Sequence, residues 1–471
     1  MQIKQVAGQT FVRDCMRDYG FEVLENRAFP RIEDGLKPIQ RLALWAIHGF
    51  KTDHFIVSAQ LAGKTTGSYS PHAEDAAYKA MVGMVQDRYA AIEGQGSFGD
   101  IANPAAAPRY TKARLSEFIQ KISTDLPDMR VVPYCPNYDE TLTQPVYLPM
   151  AIPYLLLNGS EGIGVGITTK IPAFNLGEVC KAVLKRLGGA SLEEACKQIR
   201  GPDGFACTAL SSKKEIRAFM EAGEGTLEYE CEHRIEQVGR RWRLVVSGFC
   251  PEFTPSAFLG RCSRLQDDGA IDAARNESSG ANGHRLVVEY KDPDTFERRL
   301  RSLLRRKVSY RINVLFDRGG QLKPEMCGVG RVVEAWLEIR RKQVQATIEA
   351  EVADLGAKLE RERAKLKAVQ NLSEIFAALE SKGDFKQYLV EKLGFEPEHA
   401  AMIADMRVEA LKKTSATEVE ARIEALEAER AAVREKLTDV DAIIVEQITC
   451  LLLWAKKHHP GFLERMIKEQ V

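Results

Sequence analysis

Beginning at Ile348, apolar residues return at Val352, Leu355 and Leu359 and, after a gap, at Leu366 and Val369, in a stretch dominated by Ala, Glu, Lys and Arg. Steps of four and three put these side chains on one stripe of a helix, the pattern of a coiled coil. It comes back at Val419, Ile423, Leu426, Val433, Leu437, Val440 and Ile444, with Arg430 in a seam position. Between the two stripes lie the turn signals GDFKQY (Gly383–Tyr388) and FEPEH (Phe395–His399). The simplest fold is an antiparallel helix pair carrying a small globular tip. At ~1.5 Å per residue, arms of about thirty residues would carry that tip roughly 45 Å outward. A passive spacer is the bland alternative for such an arm.

The remainder is composed differently. From Arg27 to about Asn175 the chain is punctuated by Gly, Pro and aromatic residues, including GQGSFGD (Gly94–Asp100) and NGSEGIGVG (Asn158–Gly166), as in a mixed domain with long, shaped loops. From about Leu176 to Leu322, strand-like runs at Gly225–Glu230, Trp242–Ser247 and Arg285–Tyr290 alternate with helix-like runs at Ser191–Ile199 and Thr295–Arg306. With 471 residues, 45% of them hydrophobic, the chain can fill roughly three domains. The expected class is multidomain α+β.

Charge and cysteine usage exclude several function classes. Lys plus Arg number 66 and Asp plus Glu number 66, so a histone-like or simple polybasic protein is excluded. No stretch approaches the ~20 apolar residues of a membrane-spanning helix, and Met1–Gln9 lacks a signal-peptide pattern, so the chain reads as cytosolic. Ten cysteines are scattered without a CxxC pair, which points to free thiols. The histidines are equally dispersed apart from His458 and His459, and the aspartates of Asp292–Asp294 suit a turn or helix cap better than Mg²⁺. No metal is expected on this chain alone. NGSEGIGVG lacks both a Lys-Ser/Thr ending and a full GxGxxG, so a nucleotide loop is rejected.

The segment richest in chemistry is AAAPRYTKARLSEF, Ala105–Phe118, with Arg109 and Tyr110 just before an expected helix whose apolar face is Leu115, Phe118 and Ile122. Alone, an Arg-Tyr pair at a loop-to-helix junction is a common structural feature. Its context is RAFPRIEDGLKPIQRLALWAI (Arg27–Ile47), SYSPHAEDAAYKAMVGMVQ (Ser68–Gln86) and GQGSFGD upstream, and NYDETLTQPVYLPMAIPYLLLNGSEGIGVGITTKIPAFNL (Asn137–Leu176) downstream. In this order and at these spacings the blocks closely resemble the A subunit of bacterial type IIA DNA topoisomerases, the family of DNA gyrase and topoisomerase IV. AMIADMRVEALKKTSATEVEARIEAL (Ala401–Leu426) resembles the helix returning through that family's exit gate, so the resemblance covers nearly the whole chain.

The resemblance implies an N-terminal arm (1–25), a winged helix-turn-helix DNA cleavage domain (26–150), a tower domain (151–325), a first coiled-coil helix (326–370), an exit-gate dimerisation domain (371–415) and a second coiled-coil helix with the C-terminal end (416–471). It implies that Tyr110 attacks a DNA phosphodiester and holds the broken end as a phosphotyrosyl ester. A phenol of reference pKa about 10 is mostly protonated at neutral pH and needs a cationic neighbour or a metal. Arg109 suits that role, its planar guanidinium clamping the phosphate as charge grows on the oxygens.

By the same resemblance His72 holds the scissile phosphate or the leaving oxygen, and Arg27, Lys37 and Arg41 contact DNA phosphates. Ile163 is the apolar wedge that unstacks a base step, with glycines beside it letting the backbone approach DNA. The chain departs from the family at Ser70, where a second histidine is usual, and at Leu42, where relatives often carry another basic residue. Asp75 and Lys79 stand where quinolone-sensitive relatives carry a small hydroxyl and an acid, which should weaken the drug's metal bridge. The implied assembly is a homodimer within an A2B2 complex on double-stranded DNA, with ATP and Mg²⁺ held by the B subunit, in a cytoplasmic, nucleoid-associated setting. Because the chain stops at Val471 without the β-rich wrapping domain, relaxation and decatenation in the manner of topoisomerase IV are expected. A supercoiling gyrase subunit, or a DNA-binding coiled-coil chromosome organiser that has lost cleavage, are the alternatives.

Overall fold

The computed structural model describes residues 8–51, 53–71, 74–100, 103–123, 130–279, 283–380, 385–406 and 415–469. The chain divides into two units, Met1–Arg340 with Val445–Val471, and Arg341–Ile444. The mixed α and β composition matches the α+β expectation, and no helix among the described residues is long and apolar enough to cross a membrane.

In the first unit, helices Pro38–His48, Ser58–Ser68 and Glu74–Gln86 pack on one another beside a three-stranded antiparallel sheet. Ala77, Met81 and Met84 lie at helical spacing and are buried, as are Ala43, Ala46, Leu61 and Ala62 on the two neighbouring helices. The alanines among them, Ala43, Ala46, Ala62 and Ala77, take little room between the helices. The central strand, Lys112–Leu115, sets Ala113 opposite Ile56 on one side and opposite Gly94 on the other. This corrects the expectation of a helix carrying Leu115. Ile92–Gln95 pairs along the whole of residues 112–115 and Ile56–Val57 flanks Lys112 and Ala113 on the other side, and the helix begins only at Glu117, where Ser116 Oγ accepts the Ile119 N–H at 3.1 Å.

A six-stranded sheet runs in the order Lys468–Glu469, Cys207–Ala209, Glu224–Cys231, Arg305–Arg311, Thr168–Ile171, Ser160–Ile163, so its last two strands form the hairpin that carries Ile163. A four-stranded antiparallel sheet orders His233–Val238, Arg241–Val246, Leu286–Tyr290 and Ala273–Asn276. The three stretches expected as strands lie in strands here, shifted by no more than a residue at either end. The helix expected over Thr295–Arg306 ends at Leu304, because Arg305–Arg311 pairs residue for residue with Glu224–Glu230. Asp292 and Asp294 form a turn, the Asp294 N–H donating to Asp292 Oδ1 at 3.1 Å. The ten cysteines are thiols, two of them, Cys231 and Cys250, with sulfurs 3.4 Å apart in the interior.

The second unit contains most of the 42-residue helix Val329–Gln370 and the returning helix Ala416–Glu435. Arg363 pairs with Glu427 at 2.7 Å and Arg341 with Asp441 at 2.7 Å, partner numbers falling as residue numbers rise, which is antiparallel pairing. Leu355 and Leu359 are buried as the heptad reading requires. Arg430 is exposed and lies beside Gly356, where a Cβ would make ordinary contact with its guanidinium at 3.5 Å. One expectation is corrected. The returning stripe is not one helix, since Lys436–Thr438 tightens into a 3₁₀ turn and Asp439 leaves helical geometry to cap a new helix, its Oδ1 accepting Ala442 N–H at 2.9 Å.

The tip has its own core of Ala364, Ala368, Ile375, Leu389, Phe395, Ala400 and Ile403. Leu389 is fully buried there. Leu389→Ala is expected to cost about 2–5 kcal/mol of local stability. Hydrogen exchange of the intact chain should show amides of the tip opening faster, with the six-stranded sheet unaffected.

Candidate active site

Tyr110 closes a single 3₁₀ turn, Pro108–Tyr110, whose first residue is pre-set by the proline ring and whose Tyr110 N–H donates to Ala107 O at 2.9 Å. The following strand is paired on both sides, so the turn sits on a rigid base while the tyrosine remains 67% exposed. The Arg109 guanidinium carbon lies 4.7 Å from the centre of the Tyr110 ring, a cation–π contact that keeps a positive charge beside the phenol. GQGSFGD comes in from the other side. Gly96 has φ +100°, and a Cβ there would press to 3.0 Å from the Tyr110 carbonyl, so only glycine lets the loop pass this close.

A second group of residues meets at another edge. Ile163 ends the strand Ser160–Ile163 with 80% of its surface exposed, held by pairing with Thr168 and by the Gly164 N–H donating to Ile167 O at 2.9 Å. Lys37 opens the helix Pro38–His48 and its Nζ donates to the carbonyl of Glu161 in the Ile163 strand. Burial pushes the Lys37 ammonium below its usual range, partly offset by the Glu161 carboxylate. Arg27 is exposed in the last turn of the π-helical segment Leu24–Ala28, which packs against the same hairpin. Of the glycines expected to admit DNA, Gly162 and Gly164 face protein, whereas Gly166 has open space beside it. A Cβ on Gly162 would overlap the Ala28 carbonyl, and one on Gly164 would overlap the Leu24 side chain.

Arg41 is the clearest departure. It is only 5% exposed, and its guanidinium is committed to Asp34, with Nε to Oδ2 at 2.5 Å and Nη2 to Oδ1 at 3.0 Å, while Nη2 also reaches the Leu36 carbonyl at 3.0 Å. The expected phosphate contact is therefore an internal ion pair, because a sealed carboxylate demands a cation more strongly than a solvated phosphate does. Leu42 is buried beside it, and Ser70 is buried with its N–H on the Thr65 carbonyl at 3.1 Å. His72 lies outside the described residues.

Behind the Ile163 edge lies a polar cleft lined in part by Lys37, Gln40, Asp87, Asn158 and Ser160. Desolvation there raises the Asp87 carboxyl to about 7. Among the described residues no three His, Cys, Asp or Glu side chains stand together as metal ligands, and the charged neighbour of Tyr110 is a guanidinium. The residues present do not fit a resident divalent cation.

Comparison with known proteins agrees with the motif blocks. A family profile for the A subunit of DNA gyrase/topoisomerase IV matches residues 27–449. The chain is 30% identical over 447 residues to the A subunit of DNA topoisomerase 4 from Haemophilus influenzae, covering 91% of this chain and 59% of that protein. It is 30% identical over 465 residues to the DNA gyrase A subunit of Chlamydia pneumoniae (94% and 55%) and 29% identical over 489 residues to the DNA topoisomerase 4 A subunit of Bacillus subtilis (100% and 60%). It thus spans between 55% and 60% of the length of these relatives.

Two substitutions check the electrostatics. Arg41→Ala strands the Asp34 carboxylate and should cost about 3–5 kcal/mol, read in denaturant unfolding. The Asp87 carboxyl has a folded pKa of about 7 against 3.8 for the free group, so its protonated form stabilises the fold below about pH 4 and that stability is lost as pH rises toward 7. Asp87→Asn should raise the melting midpoint at pH 8 and leave it nearly unchanged at pH 4.

Proposed function

The chain belongs to the family of DNA gyrase and topoisomerase IV A subunits, and from that premise we propose that it is the DNA breakage-reunion subunit of an ATP-dependent type IIA topoisomerase, with Tyr110 as nucleophile. The observation carrying this is an exposed phenol beside a guanidinium on a rigid turn, inside the motif block at which the family places its nucleophile. In the reaction the Tyr110 oxygen bonds to the scissile phosphorus as the bond to the leaving deoxyribose oxygen breaks. The phenolic proton is lost and the leaving oxygen gains one. The ester keeps the energy of the broken bond, so the reverse attack reseals the strand without a ligase. Arg109 needs only side-chain rotation to move from the Tyr110 ring to the phosphate oxygens, where charge accumulates.

Arg27 and Lys37 supply phosphate contacts along the edge beside Ile163, and His72 holds the scissile phosphate or the leaving oxygen. Arg41 serves that edge indirectly, through Asp34. An isoleucine side chain 80% in water at a hairpin end is suited to insertion between base steps, which costs a few kcal/mol of unstacking and is offset by contacts to the bent duplex.

The domain reading follows: an arm at 1–25, a winged helix-turn-helix cleavage domain at 26–150, a tower at 151–325, a coiled-coil helix at 326–370, an exit gate at 371–415 and the returning helix with the chain end at 416–471. Two copies form the gate, each cutting one strand. A B subunit completes an A2B2 assembly and contributes ATP hydrolysis and Mg²⁺. The arm exposes Phe11, Val12, Met16 and Tyr19 on one helix, an apolar face suited to that partner. Relaxation and decatenation are the net reactions we favour, since both need only a gate and a passing duplex.

The test is covalent capture. With the cognate B subunit, Mg²⁺ and plasmid, denaturant-trapped protein–DNA adducts should form and map to Tyr110, and Tyr110→Phe should abolish them while DNA affinity is retained. A wild-type chain that binds DNA but yields no adduct would favour a chromosome-organising role instead.

A further inference from the structure

A chain of interior hydroxyls runs behind the Tyr110 turn. Tyr78, on the helix Glu74–Gln86, is 8% exposed, and its hydroxyl donates to the Ala106 carbonyl at 2.7 Å. The same oxygen lies 3.0 Å from Thr111 Oγ1, a contact in which Tyr78 shares its one proton between the Ala106 carbonyl and Thr111, and Thr111 Oγ1 donates to Ser58 Oγ at 2.9 Å. Ser58 begins the helix Ser58–Ser68, and its backbone N–H donates to the Thr111 carbonyl at 2.9 Å. Thr111 and Ser58 have no exposed surface. Tyr78 therefore grips the chain four residues before Tyr110 and one residue after it, while the phenol between these grips stands in solvent.

The helix that provides this grip has two working faces. Ala77, Tyr78 and Met81 are buried, whereas Asp75 and Lys79 are exposed on the other side. A duplex resting on the outer face would press on the same rigid rod whose inner face holds the nucleophile's turn. Phe98, from GQGSFGD, packs beside the Tyr78 ring with centroids 6.3 Å apart, so the ring is wedged as well as hydrogen-bonded. A network of this kind in a dry setting is stiff when complete and loosens when one member is removed, because the orphaned carbonyl and hydroxyl must find other partners.

We propose that Tyr78 is a positioning residue for Tyr110, holding its turn through Ala106, Thr111 and Ser58 so that the phenol meets the scissile phosphorus in line. The inference rests on the breakage-reunion reading. Tyr78 touches neither DNA nor the reacting atoms, so its removal acts on the rate of the covalent step and not on DNA affinity. A displacement of about 1 Å at a reacting atom costs up to ~100-fold in rate.

The experiment compares wild type, Tyr78→Phe, Thr111→Val, Thr111→Ser and Tyr110→Phe in the complex with Mg²⁺ and the B subunit, measuring single-turnover adduct formation, DNA Kd and melting midpoint. Tyr78→Phe and Thr111→Val should each slow adduct formation on the order of tenfold to a hundredfold, with Kd unchanged within about twofold. Thr111→Ser, which keeps the hydroxyl, should restore the rate lost in Thr111→Val, and the double variant Tyr78→Phe/Thr111→Val should be no slower than the slower single one. Wild-type rates in Tyr78→Phe, or a slowing matched by weaker DNA binding or by a collapse of the melting midpoint that Thr111→Ser shares, would overturn the positioning role alone. Adducts persisting in Tyr110→Phe would overturn the breakage-reunion assignment, and this inference with it.

Discussion

The carboxylate of Asp34 is sealed from water and takes four donors: Arg41 through Nε and Nη2, and the backbone N–H groups of Leu36 and Leu148. An uncompensated charge in that position costs several kcal/mol, so the surrounding chain has little freedom once it is there. Gly35 follows at φ +68°, where an added Cβ would overlap the Leu155 backbone, so the turn is pressed flat against a later segment. Lys37 then has to emerge at the start of the next helix, facing the Glu161 carbonyl. The edge that carries Arg27, Lys37 and Ile163 depends on this knot.

The same economy recurs at the chain's end. Asp203 accepts the N–H groups of Met466 and Ile467 at 2.8 and 3.0 Å and pairs with Arg88 at 2.6 Å, while Glu178 holds both Arg200 and Arg465. Arg41, Arg88 and Arg465 are thus consumed inside the protein.

Much of the architecture is legible in the sequence. The heptad stripes locate both long helices, the alternating runs locate three strands, and the ordered motif blocks single out Arg109 and Tyr110. The departures share one cause, a distant or competing partner that local spacing does not reveal. The spacing of Leu115 suits a helix, yet pairing with Ile92 captures it in a strand. The stripe of the returning arm runs on through Leu437, yet the Asp439 side chain caps a fresh helix. Arg430 looks like a flaw in the seam on sequence alone, and in the fold its side chain stays exposed beside Gly356.

The sequence by itself determined where the two long helices and three of the strands run, which segment is the candidate for the nucleophile and which family the chain belongs to, because these depend on neighbours two to four residues away and on the order of motifs. Tertiary structure alone decided which way each polar side chain faces. Arg41 turned inward, Gly162 and Gly164 received protein atoms, and Tyr78 became joined to Thr111, because burial and close approach are set by distant partners. Asp34 meets Leu148 across 114 positions and Lys37 meets Glu161 across 124, separations that no local pattern encodes.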